Sequence, residues 1–548
     1  MKITSLRFLP FWFAGLVLPL FVSGQTPTVA DLPVNPAAES KGLNPALPSL
    51  FIAGDSTAAP GSAGAMGWGV PFRDYFDPAK VNVVNLARGG RSCRTYIMQG
   101  LWDQLLAQVK AGDTVLIQFG QLDGDRINEE VAGSGRPLRA RGSLPGLGEE
   151  TMEIDNALTK QHEVVHTYGW YMRKMIADVQ AKAATPIVLS HTVRNIWKDG
   201  KVERGNGQYR QWNREIAEAA GVAFIDHTRL IADDYQRRGE AAVKELFPKD
   251  YVHAGPVGAD LNASLAVAGL KGLRKGPPFK EWLSAKGQAV EADPIGWLNL
   301  PEPANPKLPS IVLIGDSTVR NGRGDGQGGQ WGWGDYLGAH FDLTKINIVN
   351  RAIGGLTGRT FLTQDHWERA LMLIKPGDYL LIQFGTNDGG AINGEPPGSK
   401  NPLRARGSLK GVGEETEAID NLLTKKHEVV HTNGWYLRKF VREAKAAGAV
   451  PVLCSLVPRK IWKDGKVVRS VDSSAAWAQQ VAQEENIGFI DLNNLISARY
   501  ETLGEEKVNA LFADEHTHTS REGAVINAEI VATELRKIPG DPLGKFAR

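Results

Sequence analysis

Along the second half of the chain, short apolar runs alternate with longer amphipathic stretches. Residues 311–314 read Ile-Val-Leu-Ile and end at Gly315 and Asp316. Four apolar, partly β-branched residues bounded by turn formers predict a strand buried on both faces, as in a parallel sheet. Residues 345–349 and 379–384 predict two more strands, the second set off by Pro376-Gly377-Asp378, with a helix over 367–374 between them. Thr432 is placed to cap a long amphipathic helix reaching about Ala446, and residues 450–456 and 487–491 predict the remaining strands. Strands alternating with helices predict an α/β fold, a parallel sheet covered on both faces.

The same pattern occurs twice. PLRARGSLPGLGEET, from Pro137, returns as PLRARGSLKGVGEET from Pro402, 265 residues later. HEVVHTYGWYMRK from His162 returns from His427, and IWKDGKV from Ile196 returns from Ile461, at the same offset. LFIAGDST at 50–57 matches IVLIGDST at 311–318, but at an offset of 261, so four residues enter early in the second half. The Gly-rich run 321–330, NGRGDGQGGQ, is the visible place for them. A period this long predicts a duplicated domain and not a solenoid. The expected boundaries are a linker over 25–47, a first domain over 48–275, a connector over 276–307 and a second domain over 308–540.

Composition changes this picture only at the N-terminus. Lys2 and Arg7 precede the apolar run 8–22, followed by Ser23 and Gly24, which is the layout of a secretory signal peptide over 1–24. The run is short for a membrane span, which needs about 20 residues. The expected location is therefore secreted or periplasmic, with no stable membrane association. A formal net charge of +2 gives no nucleic-acid footprint. The two cysteines, Cys93 and Cys454, stand at non-equivalent places, which argues against a disulfide framework or a thiolate metal site. His516-x-His518 lacks clear further ligands for zinc.

The turn after each first strand carries a serine, Ser56 and Ser317. Ligands of open α/β sheets bind outside the carboxyl ends of the strands, which suits a nucleophile there. Acyl transfer also needs a base, a group that orients it and oxyanion donors. In the second half Gly355 follows the second strand, Asn387 follows the third, and Asp514-Glu515-His516-Thr517-His518 stands near the end. A serine after a strand is by itself usually a turn residue or helix cap.

These blocks, GDS, glycine, GxND and a terminal DxxH pair, resemble the SGNH (GDSL-type) hydrolase family over nearly all of both domains. The resemblance implies two tandem flavodoxin-like α/β/α sandwiches, each with a parallel sheet of about five strands. Within that family the chain is most similar to rhamnogalacturonan acetylesterases of carbohydrate esterase family 12, which carry a GGRS-x-R-T-like segment and a DHTHTS-like ending. What this implies is removal of O-acetyl groups from pectin by a serine, with no metal or organic cofactor.

Carried over residue by residue, the resemblance marks Ser56, Gly90, Asp250 and His253 in the first half. In the second it marks Ser317, Gly355, Asn387 and His518, and aligning Phe247 with Phe512 and Gly258 with Gly523 puts Glu515 opposite Asp250. Asp514 is adjacent but one residue out of register. The first half departs at Leu122, where the asparagine is expected; leucine donates no hydrogen bond, so the second domain is expected to be the better catalyst. The first domain is then a weak esterase, or a degenerate copy that binds glycan or supports its partner.

Arg94, Arg359 and Trp333 are candidate contacts to an acetylated polysaccharide or oligosaccharide. Trp331 and Trp333 either stack on sugars or anchor packing. Arg139, Arg141, Arg404 and Arg406 either meet uronate carboxylates or pin their loop against Glu414 and Glu415. His162 and His427 are expected in helical, structural settings. The Gly-rich run is expected to form a mobile lip over the second site. Rival readings are a xylan acetyl, uronate methyl or lipid ester as substrate, or a carbohydrate-binding protein built from two retired hydrolase domains.

Overall fold

The computed structural model describes residues 43–61, 64–128, 138–205, 207–274, 276–394, 404–470, 473–538 and 542–548. The expected leader and most of the linker that follows lie outside these residues.

Each half is built on five parallel strands. In the first they are β1 (Ser49–Gly54), β2 (Asn82–Asn85), β3 (Thr114–Gln118), β4 (Thr185–Leu189) and β5 (Ala223–Ile225), in the order β2-β1-β3-β4-β5. In the second, β6 (Ser310–Gly315), β7 (Asn347–Asn350), β8 (Tyr379–Gln383), β9 (Val450–Cys454) and β10 (Gly488–Ile490) repeat it as β7-β6-β8-β9-β10. The parallel sheets expected from the alternation, and the two tandem sandwiches that the family resemblance implies, are present. Along β6 successive side chains enter opposite cores, as strand geometry requires. Ile311 and Leu313 pack with Ile496 and Val531, whereas Val312 and Ile314 pack with Phe440 and Val481. Both faces are therefore buried, which is why the run is apolar throughout.

From β1 the chain steps to β2 on one side and then crosses back to β3 on the other. That reversal opens a crevice at the carboxyl ends of the strands, and the GDS turns sit on it. The helix Asn433–Ala446 starts where the Thr432 hydroxyl accepts the N–H of Trp435, and Thr167 does the same for Trp170. His162 and His427 do not lie on helices. HEVVH alternates in side-chain direction, and each copy is an outer strand of an antiparallel hairpin, His162–His166 and His427–His431.

The connector is not a loose tether. Phe279, Trp282 and Leu283 pack into the core of the first half, and Ile295, Leu298 and Leu300 into that of the second. Buried charges also cross between the halves. Arg210 binds Asp226 at 2.6 Å and also Glu302 of the connector, while Arg229 holds Asp293. Asp233 takes Arg204 and, at 3.4 Å, Arg369 of the second half. Arg351 donates to the carbonyls of Leu300 and Pro301. The repeated IWKDGKV segment forms a small hairpin with Asp199 and Gly200 at φ +52° and +71°, the geometry of a tight two-residue turn. From its first copy Lys201 reaches the carbonyl of Ile374 at 2.7 Å.

Candidate active site

In the second half, Ser317 is almost fully buried on the turn after β6, and its Oγ lies 2.9 Å from His518 Nε2. His518 Nδ1 lies 2.5 Å from Asp514 Oδ2. The structure therefore puts Asp514, not Glu515, beside the imidazole, and Glu515 is exposed. The cause is the backbone. Oδ1 of Asp514 accepts the N–H groups of His516, Thr517 and His518 at 3.2, 2.7 and 2.9 Å, so the turn wraps the aspartate one residue earlier than in the first half. Burial alone would raise the Asp514 carboxyl; these hydrogen bonds outweigh it and hold it below the usual range.

The first half has the same chain of contacts. Ser56 Oγ is 3.0 Å from His253 Nε2, and His253 Nδ1 is 2.8 Å from Asp250 Oδ2. Asp250 Oδ1 accepts the N–H groups of Val252 and His253, and these bonds, against the raising effect of burial, keep its carboxyl low.

Gly90 and Gly355 have φ of +78° and +83°, left-handed conformations that favour glycine at this turn. Next to them Gly89 and Gly354 lie against the serines; a side chain at Gly354 would begin 3.4 Å from Ser317 Cβ. Asn387 Nδ2 donates to the carbonyl of Leu356 at 3.0 Å, which fixes its amide against the glycine loop. Leu122 has no equivalent donor. There Arg91 grips the loop, donating to the carbonyl of Gly89 at 2.7 Å.

Two supports brace these loops, an aspartate that sequence reasoning missed and an arginine it named as a loop pin but with other partners. Asp388 accepts from Gly358 N at 3.2 Å, Gly385 N at 2.9 Å and Asn433 Nδ2 at 3.0 Å, tying the GxND turn to the helix after Gly355. Burial and the neighbouring Asp316 push its carboxyl up to about 6. Asp123 does the same in the first half, bonded to Cys93 N and Gly120 N at 3.0 Å each, and burial pushes it up to about 6. The second support is an arginine. Arg141 Nη1 donates to the carbonyl of Gly90 at 3.2 Å, and Arg406 Nη1 to that of Gly355. Each arginine follows an alanine at positive φ, Ala140 at 41° and Ala405 at 39°. The signal was present: both aspartates and both arginines recur in the two copies. Arg141 also pairs with Asp125 at 2.5 Å, whereas Glu414 pairs with Arg438.

Three expected substrate contacts are instead parts of the frame. Arg359 is fully buried, with Nε 2.6 Å and Nη2 2.8 Å from the Glu428 carboxylate and Nη1 donating to the carbonyls of Ile392 and Gly407. Arg94 is bound in the same way by Glu163, Ile127 and Gly142. A buried guanidinium needs such a carboxylate, which is why the arginine and glutamate recur together. Trp333 is buried, its Nε1 bonded to Gln383 at 2.7 Å, as Trp68 is to Gln118. Trp331 packs on Tyr336, and a side chain at Gly326 would strike its ring at 2.3 Å. The Gly-rich run is thus folded onto Trp331 and closed by a 2.7 Å bond from Asn321 to Gln330.

The GDSL-like Lipase/Acylhydrolase family matches residues 52–261 and 313–526. Rhamnogalacturonan acetylesterase of Emericella nidulans is 28% identical over 221 residues, 40% of this chain and 82% of that protein. The probable rhamnogalacturonan acetylesterase YesY of Bacillus subtilis is 31% identical over 238 residues, 42% of this chain and 94% of its own. Among solved structures, the protein YxiM of Bacillus subtilis matches with a TM-score of 0.33 and 28% identity, covering 42% of this chain and 57% of that one. Matched by its family in both halves, the chain belongs to the GDSL-like lipase/acylhydrolase family and is a carboxylic ester hydrolase in tandem form.

Proposed function

We propose that the chain is an exported serine esterase that removes O-acetyl groups from plant cell-wall polysaccharide, rhamnogalacturonan first. The observation that carries this reading is the unbroken hydrogen-bonded chain Ser317–His518–Asp514 at the sheet's switch point, beside an amide donor. The rhamnogalacturonan acetylesterases among its relatives support the substrate class, and the basic, then apolar, then small-residue order of residues 1–24 supports export.

Ser317 Oγ attacks the acetyl carbonyl while His518 Nε2 takes its proton. Asp514 holds the imidazole tautomer and stabilises the imidazolium. The N–H groups of Ser317 and Gly355 and the amide of Asn387 receive the oxyanion. His518 returns the proton to the leaving sugar oxygen, and a water then releases acetate from the acyl-serine by the same route. Ser56, His253 and Asp250 run the same steps more slowly, lacking the amide.

Acetate and methanol release from native pectin, measured for the wild type, Ser317→Ala, Ser56→Ala and the double variant, tests this. Acetate release, mostly lost in Ser317→Ala and wholly in the double variant, is expected. Methanol without acetate would make it a different esterase. Equal inactivity of all four proteins with glycan binding intact would make it a binding protein.

A further inference from the structure

Just past the Ser317 turn stands a polar side chain that the reaction does not use. Asn321 opens the Gly-rich insertion and is half-buried. Its Oδ1 lies 3.2 Å, and Ser317 Cβ 3.4 Å, from where a side chain at Gly354 would begin. Amide oxygen and nucleophile thus flank the same bare position of the glycine loop. Asn321 Nδ2 is spent on Gln330 at 2.7 Å, and among the described residues no donor reaches Oδ1. A carboxamide oxygen has two lone pairs to offer, so this one keeps its capacity for whatever occupies the crevice.

The amide is held from both sides. Arg320, only 2% exposed, donates to the carbonyls of Leu298 at 2.8 Å and Gly322 at 3.1 Å, which fixes the chain around Asn321. The Asn321 carbonyl closes a turn with the N–H of Gly324 at 2.8 Å. At its far end the insertion joins the segment that carries the catalytic imidazole. Trp331 donates its N–H to the Thr519 carbonyl at 2.9 Å, and the Thr519 hydroxyl donates to the Trp331 carbonyl at 2.9 Å. The first half provides the contrast. There a side chain at Gly89 would meet only Ser56 among the described residues, and Pro60 stands where Asn321 does, with no amide.

We propose that Asn321 Oδ1 accepts a hydrogen bond from the hydroxyl on the ring carbon next to the acetylated one, which makes Asn321 a specificity-determining residue of the second site. The inference rests on the deacetylase reading. An acetyl carbonyl seated at Ser317 brings the adjacent ring carbon over Gly354, where no side chain obstructs it. A sugar that keeps this hydroxyl exchanges a bond to water for one to Oδ1. A sugar that lacks it leaves Oδ1 unpaired in the filled crevice.

The test uses the full chain carrying Ser56→Ala, so that only the second site turns over, and two neutral probes. They are methyl 2-O-acetyl-galactopyranoside, which has a free hydroxyl at carbon 3, and its 3-deoxy analogue. The readout is the ratio of their kcat/KM values. The hydroxylated probe is expected to be favoured roughly tenfold, the worth of one neutral hydrogen bond. Adding Asn321→Ala should bring the ratio close to unity, and Asn321→Asp, which keeps the acceptor, should preserve it. A purely structural asparagine would alter both rates together and leave the ratio unmoved. Equal kcat/KM for the two probes before Asn321 is changed, a preference that survives Asn321→Ala, or one lost in Asn321→Asp would overturn the proposal. So would failure to turn over the hydroxylated probe while native pectin is still deacetylated. Failure of the deacetylase reading is seen separately, as absence of Ser317-dependent acetate release from pectin.

Discussion

Asp514 and Glu515 differ by one methylene and one position along the chain, and the position decides. Three backbone N–H groups converge on Asp514, so it is held rigid beside His518 while Glu515 faces solvent. Asp514→Asn should lower kcat by roughly 10⁴-fold, as loss of the tautomer-holding acid does elsewhere, whereas Glu515→Gln should stay within about twofold; steady-state kinetics on an acetyl ester reads both. Asn387→Leu copies the first half's condition and should cost on the order of 10²–10³ in kcat. Leu122→Asn in a Ser317→Ala background should raise the remaining turnover. The serine, histidine and glycine that the structure brings together were legible because they stand in fixed words of the sequence. The acid was misplaced by one because flank alignment assumes an unchanged backbone, and the turn at Asp514 closes over one more residue than the turn at Asp250.

The glycine loop after β7 is held at three points. Arg406 takes the carbonyl of Gly355, Asn387 that of Leu356, and the Thr357 hydroxyl returns a bond to the backbone of Arg406. The loop is thus kept in one pose before substrate arrives, which is what oxyanion stabilisation requires. Arg406→Ala should therefore lower kcat by about tenfold to a hundredfold with little change in KM, and added methylguanidine should restore part of the rate; a purely structural arginine would show neither the split nor the rescue. The strands and the Thr432-capped helix could be read from periodicity and caps, which are local. The partners of Arg406, Arg359 and Trp333 could not, because each lies more than 30 residues away and recurrence in both copies marks importance without saying for what.

Across the whole molecule the two halves are joined by charges taken out of water. Burial alone would raise Glu302, but Arg210 and Arg204 pull its carboxyl down to about 2, against roughly 4.3 in an unfolded chain. A depressed acid stabilises the fold above its unfolded value and loses that contribution as pH falls through the folded one. Thermal melts from pH 7 down should thus show stability falling between about pH 4 and 2. Glu302→Ala should shed that part of the acid slope and, at neutral pH, cost about 3 kcal/mol by stranding Arg210 with a single acid.

The paired IWKDGKV hairpins carry a further lesson. Lys201 crosses to Ile374 of the other half, while its twin Lys466 stays at home with Glu501 at 3.4 Å. Identical heptads have thus taken different employment, one as a rivet and one as a local brace. Two such copies are no longer spares for each other: excising either, or reversing their order, would leave the rivet with nothing to enter.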